Sequence, residues 1–187
     1  MDRIQILMVC TANVCRSPLA ERLLLAHLRT HGRDVAEQFH VVSAGLTAMA
    51  GHPMHPFSER ELIALGGDSS GFQARQLGVD MVQQADLILT ATRRQKSLLL
   101  TDHAWAHPRA FTLRDFDAAM QYGPDVSSVE DLIAVAARSR GLLRLREPDI
   151  RDPIEGGRAA HRAAARTIDS CARNISRTLT GLVRVVS

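Results

Sequence analysis

The chain has 187 residues, 45% of them hydrophobic and 23% charged, with a formal net charge of +3; this is apolar content for one core of ordinary size, and too balanced a charge for an acidic or basic tail. Aromatic residues make up only 4% and the arginines are scattered, which argues against a nucleic-acid surface of basic runs interleaved with rings. Three cysteines are too few for a secreted disulfide framework, and no apolar run approaches membrane-spanning length, so thiol chemistry in the cytoplasm with no membrane partner is expected.

Ile4 to Val9 is an apolar run rich in branched residues, which predicts a strand buried on both faces. A helix follows, with Pro18 at its first position, Glu21 near the positive end of its dipole, and Leu19, Leu23, Leu24 and Leu28 as its apolar stripe. Phe39 to Ser43 reads as a second strand ended by Ala44 and Gly45. A loop with Gly51, Pro53 and Pro56 leads to a capping box, Ser58 with Glu61, and a short helix stopping at Gly66-Gly67. Ala85 to Thr90 predicts a third strand, Thr92 starts a helical run through Leu98 to Leu100, and Ala110 to Leu113 is a fourth strand. The alternation argues for an α/β fold with a mainly parallel, doubly wound sheet. From Asp117 to Pro148 the pattern changes: Gly123-Pro124 makes a turn, Val129 to Arg138 is helical, and Arg144 to Glu147 is exposed. We read residues 1–187 as one domain with a helical insert at 117–148. A last helix is expected from Arg158 to about Leu182, burying Ile168, Cys171, Ile175 and Leu179.

The stretch Val9-Cys10-Thr11-Ala12-Asn13-Val14-Cys15-Arg16-Ser17-Pro18 joins the first strand to the first helix. A loop that leaves the carboxyl end of a strand and enters a helix turns successive backbone N–H groups into one concavity, and the helix dipole adds partial positive charge. Such a cup suits a phosphate- or sulfate-type dianion, with Thr11, Ala12, Asn13, Val14, Cys15 and Ser17 around it. The same field favours Cys10 as the thiolate, its nucleophilic form. Arg16 returns to the rim, where its planar fork can hold two phosphoryl oxygens at once, a geometry lysine lacks. Ser17 can donate to the sulfur, and Asn13 tolerates left-handed backbone angles and can brace the loop. The plain alternative for Cys10 and Cys15 is two small hydrophobes at a strand end. Metal binding is another, but no second close cysteine pair exists, and His52 and His55 stand in a Pro-rich loop without an obvious third partner; no metal and no cofactor is expected.

This Cys-x5-Arg-Ser loop resembles the phosphate loop of the low-molecular-weight protein tyrosine phosphatases. Ser43-Ala44-Gly45, Ala85-Asp86-Leu87-Ile88-Leu89 and Asp152-Pro153 follow in the order that family uses, so the resemblance spans most of the chain apart from residues 117–148. It implies a four-stranded parallel sheet of order 2-1-3-4 flanked by helices on both faces. It also implies metal-free hydrolysis of a phosphorylated protein or small phosphomonoester. In that reaction Cys10 is nucleophile, Arg16 clamps the phosphoryl group, and Asp152 is general acid, then general base. Cys15 is implied as a redox partner that could form a disulfide with Cys10. Asp149 competes with Asp152 by position, although only Asp152 has the Asp-Pro pairing and Gly156-Gly157 behind it.

The sequence also departs from the family pattern. Ile154 and Glu155 follow the Asp-Pro where tyrosine-directed members carry aromatics, and Thr47, Ala48 and Met49 occupy the place of an aromatic wall residue. Stacking on a phenyl ring would then need Phe57, Tyr122 or Trp105 over the cleft. Val14 lies where the related protein arginine phosphatases have a threonine and tyrosine-directed members a larger aliphatic residue, and it settles neither reading. Arsenate reductase is a rival that needs a relay of three cysteines, with the second and third on a mobile middle segment, whereas the third here, Cys171, falls in the terminal helix. A non-catalytic phosphate-binding module is the other, and it would need neither a thiolate nor a proton donor. The insert at 117–148 is expected to cover the cleft and choose a partner.

Overall fold

In the computed structural model, which describes residues 3–123 and 125–183, strand β1 (Ile4–Cys10) is buried from Ile6 to its end. Its burial follows from its place inside the sheet, between β2 (Phe39–Gly45) and β3 (Leu87–Thr90), with β4 (Ala110–Thr112) beyond β3. All three pairings are parallel, and the order is β2-β1-β3-β4. Alternate residues of β1 serve opposite faces. Ile6, Met8 and Cys10 join a core that includes Leu87, Leu89 and Phe111, while Leu7 and Val9 join Ile88, Val82, Leu99 and Ala106 on the other face.

Helix α1 (Arg16–Arg29) lies on the first face and buries Leu19, Leu23, Leu24 and Leu28. It begins two residues before Pro18, which is therefore its third residue; within the first turn the missing proline N–H still has no intrahelical partner to lose. Glu21 is not in the first turn but buried one turn further on. A short α2 (Arg33–Ala36) leads to β2, which runs two residues past the expected Ser43 to Gly45. Helix α3 (Pro56–Ala64) starts at Pro56, with the His55 ring accepting the Phe57 N–H. Ser58 is therefore no cap: it is buried and bonded to His161 instead. After α4 (Val79–Gln84), β3 starts at Leu87 because Asp86 is the junction, its carboxylate accepting the Gln5 N–H at 2.8 Å. Helix α5 (Arg93–Asp102) opens with a reciprocal Thr92–Gln95 capping box.

A 3-10 turn at Ala104–Arg109 enters β4, which gives way to α6 (Leu113–Ala119) and then α7 (Val129–Ser139). Pro124, half of the expected turn at 123–124, lies outside the described residues. Phe116, Ala119, Leu132, Ala136 and Leu143 enter the same core as α1. The 26-residue α8 (Gly157–Leu182) crosses that face against α1 and α3, burying Ile168, Cys171, Ile175 and Leu179. No helix among the described residues is long and apolar enough to cross a membrane. The four strands end on one edge, where the chain leaves β1 toward β2 on one side while β3 lies on the other, the place where parallel sheets of this kind open a crevice.

Candidate active site

Residues 11 to 15 fill that crevice between β1 and α1, and a second layer of backbone fixes how they turn. Cys10 O accepts from Leu46 N–H at 3.0 Å, Thr11 O from Thr47 at 2.9 Å, Ala12 O from Met49 at 3.0 Å and Val14 O from His55 at 2.8 Å. In a planar trans peptide the N–H points opposite the preceding carbonyl. With these carbonyls drawn outward to residues 46–55, the N–H groups of Thr11, Ala12, Asn13 and Cys15 face the inside of the loop. Helix α1 adds its own amino end there, and no side chain caps it. The cup expected at this junction is thus built by hydrogen bonds made on its outer side.

A buried hydrogen-bond chain braces the cup from below. Ser17 Oγ donates to Cys10 Sγ at 3.0 Å, Asn13 Nδ2 donates to Ser17 Oγ at 2.8 Å and to Ser43 Oγ at 2.9 Å, and Ser43 Oγ donates to Glu21 Oε2 at 2.6 Å. Asn13 Oδ1 also accepts the Arg75 N–H at 2.8 Å. Asn13 has φ 57°, the one positive value outside glycine among the described residues, so its three bonds hold a backbone angle asparagine tolerates better than most. Thr11 Oγ1 is held from the other side by Gln95 Nε2 at 3.0 Å.

Arg16 is buried and joins the loop to a second chain segment. Its Nη1 donates to Ile150 O at 3.1 Å and its Nη2 pairs with Asp152 Oδ2, while nothing among the described residues accepts from the buried Nε. Asp152 is half-exposed, at the mouth. Asp149, its rival by position, has an oxygen committed to the Arg93 N–H at 2.8 Å. Asp152, 136 residues beyond Arg16, is therefore brought to the cup that holds Cys10 and Arg16.

The sequence profile described as low molecular weight phosphotyrosine protein phosphatase matches residues 5–130, about two thirds of the chain. The chain belongs to this family. Among curated relatives of this phosphatase, a probable low molecular weight protein-tyrosine-phosphatase EpsP of Ralstonia solanacearum is 33% identical over 136 residues, covering 71% of this chain and 88% of the relative. Two solved structures share the fold. The YwlE arginine phosphatase from Geobacillus stearothermophilus has TM-score 0.71 and 24% identity, covering 95% of this chain and 94% of its own. Wzb of Vibrio vulnificus, in complex with benzylphosphonate, has TM-score 0.69 and 22% identity, covering 94% and 99%. The profile match ends before Asp152, so that residue's position in the phosphatase rests on its contact with Arg16.

Burial pushes the Cys15 thiol of the phosphatase up to about 11, against a hydrogen bond from Ser58 that favours the anion. Cys15 therefore stands as a thiol beside Cys10. Burial likewise raises the Glu21 carboxyl above its usual range, although the Ser43 bond works the other way. Cys171 is pushed up by burial and by Asp117 on α6. It lies ten residues along α8 from His161, about 15 Å at 1.5 Å per residue, and His161 is the residue that approaches Cys15. That spacing gives no three-cysteine relay.

Several parts of the site carried no clear sign in the sequence. Ser43 and Glu21 read as a strand end and a dipole partner, but they brace Asn13. Gly45 read as a turn requirement, but a Cβ there would stand 2.6 Å from Thr11 O, so glycine serves close approach of β2 to the loop. Of the rings considered for a wall, Trp105 precedes β4 at the opposite end of the strands and stacks under Arg109. Phe57 stays on the loop side, edge-on to His161 with centroids 5.6 Å apart.

Proposed function

We propose that this phosphatase hydrolyses phosphomonoesters through a cysteinyl-phosphate on Cys10, with Arg16 and the loop amides holding the phosphoryl group and Asp152 moving the proton. The observation that carries the reading is the Ser17 O–H aimed at Cys10 Sγ, because a hydroxyl that spends its proton on sulfur stabilises an anion there. An incoming phosphoryl group takes the unpartnered Nε and the adjacent Nη2 of Arg16, a bidentate seat. Asp152 is then released from Nη2 toward the leaving oxygen. In the first step the sulfur attacks phosphorus in line and Asp152 protonates the departing oxygen; in the second, the same carboxylate takes a proton from the attacking water. Charge on the transferring group is met by preset donors rather than by a metal.

The substrate is a phosphorylated protein or small phosphomonoester, and the chemistry needs no cofactor. A reactive thiol of this kind suits the reducing cytoplasm. Beside the loop Met49 and Ile154 are exposed aliphatic groups and Phe57 is the ring on this side, which leaves phosphotyrosine and phosphoarginine to be separated by kinetics. The test is p-nitrophenyl phosphate turnover. Cys10→Ser should abolish it, and Asp152→Asn should lower kcat by about 10² to 10⁴. Turnover retained by Cys10→Ser would overturn the reading.

A further inference from the structure

Three nitrogen and sulfur side chains meet on the outer side of the loop without being used by the hydrolysis: Cys15 at the start of α1, His55 at the start of α3 and His161 in the first turns of α8. One ligand-type atom from each lies within 4.8 Å of the others. The His55 and His161 rings stack at 4.3 Å. His161 is fully buried, its Nδ1 is 2.8 Å from Ser58 Oγ, and its Nε2 has no partner among the described residues. Ser58 explains the arrangement. Its Oγ lies 2.8 Å from His161 Nδ1, and with the ring proton on Nδ1 that hydroxyl accepts it and an unshared pair is left on the buried Nε2.

A buried nitrogen with a lone pair and no donor costs stability unless something occupies it. We propose that Cys15, His55 and His161 form a binding site for a divalent transition metal of the Zn²⁺ class, with the fourth position left for water or another ligand. One thiolate and two imidazoles are donors such an ion takes, and a hydroxyl bonded to the distal nitrogen of a ligand histidine is the outer support these sites use. Tetrahedral Zn²⁺ with bonds of about 2.0 to 2.3 Å holds its ligand atoms about 3.3 to 3.6 Å apart, so binding draws the three atoms together and tilts the His55 and His161 rings out of their stack. Binding expels the Cys15 thiol proton to solvent. It also gives up the 3.2 Å bond from Phe57 N–H to His55 Nδ1, since either ring nitrogen that takes the metal leaves Nδ1 with no free pair. Metal on Cys15 would tie three elements together beside the phosphate cup and withhold that sulfur from Cys10. The proposal stands apart from the hydrolytic reading, because it uses neither Cys10 nor Asp152.

The experiment titrates Co²⁺ into the full chain after chelator treatment and reads the thiolate-to-cobalt charge-transfer band and the visible bands of a tetrahedral ion. One Co²⁺ per chain, displaced by Zn²⁺, is expected. Cys15→Ser should lose the charge-transfer band while Cys10→Ser keeps it. Ser58→Ala should weaken binding by about 10- to 100-fold, and His55→Gln by more than Ser58→Ala does. His161→Gln and Cys15→Ser, both at buried positions, are read alongside a circular dichroism check of folding. Absence of the band in the wild-type chain, or a band that survives Cys15→Ser and vanishes in Cys10→Ser, would overturn the site.

Discussion

Asn13 shows how a single side chain can hold a catalytic loop in place. It donates to Ser17 and Ser43 and accepts from Arg75, so the hydroxyl that serves Cys10 is itself held by an amide whose backbone sits in the left-handed region. The chain ends on Glu21, and burial holds that carboxyl above its usual range. The folded protein therefore prefers Glu21 protonated; that preference is fully satisfied below the unfolded value near 4.5 and becomes a cost as pH rises above it. Glu21→Gln keeps an oxygen for Ser43 and removes the charge. Urea denaturation should find its stability relative to wild type rising as pH increases above about 4.5, and a difference independent of pH would refute the assignment. At this scale the sequence was legible in which residues come together: Ser17 reaches Cys10 and Asp152 reaches Arg16. It was silent on Ser43, Glu21 and His161, because a buried serine or histidine declares its partner only when distant segments pack together.

At the scale of elements, the cup is a product of two strands rather than one loop. Residues 46–55, which follow β2, accept none of the anion-facing work yet draw the carbonyls of residues 10, 11, 12 and 14 outward, and the N–H groups turn inward as a consequence. Gly45 is where β2 comes closest. Its missing side chain lets Thr11 O approach to a distance a Cβ would block, and that Cβ would also stand 3.0 Å from Ala48 Cα and Cβ. Gly45→Ala should cost about 1–3 kcal/mol in stability and, by displacing the loop by as little as 1 Å, about 10² in kcat/KM for p-nitrophenyl phosphate. An unchanged rate constant would show that the loop does not depend on this approach. Elements with strong periodicity, β1, α1 and α8, were legible in their apolar patterns. The start of α5 at Thr92 was legible too, but those of α1 and α3 were not: Pro18 and Ser58 fit a first position and a cap in sequence, yet α1 begins at Arg16 and α3 at Pro56, with Ser58 bonded to His161.

For the whole molecule, the segment after β4 is the part whose pattern was hardest to read, since α6 and α7 are each followed by a short 3-10 turn, at Met120–Tyr122 and Arg140–Leu142. Its apolar residues nonetheless complete the core over α1 and α8, with Phe116 fully buried against Phe111 at a centroid distance of 5.3 Å. Removing residues 117–148 would open that core, so the segment's influence on substrate choice is better tested by surface changes. Phe116→Ala should destabilise the protein by about 3–5 kcal/mol while leaving kcat of the folded protein unchanged at low temperature; a loss of kcat without loss of stability would place this segment in the reaction instead. The proposed hydrolysis depends on a phosphoryl group passing through one sulfur. Rapid denaturing quench at alkaline pH during p-nitrophenyl phosphate turnover, followed by peptide fragmentation and mass spectrometry, tests it directly. One phosphoryl group on Cys10, absent from the Cys10→Ala protein, is the predicted result, and a phosphoryl group on Cys15 or on any other residue of the wild type would contradict it.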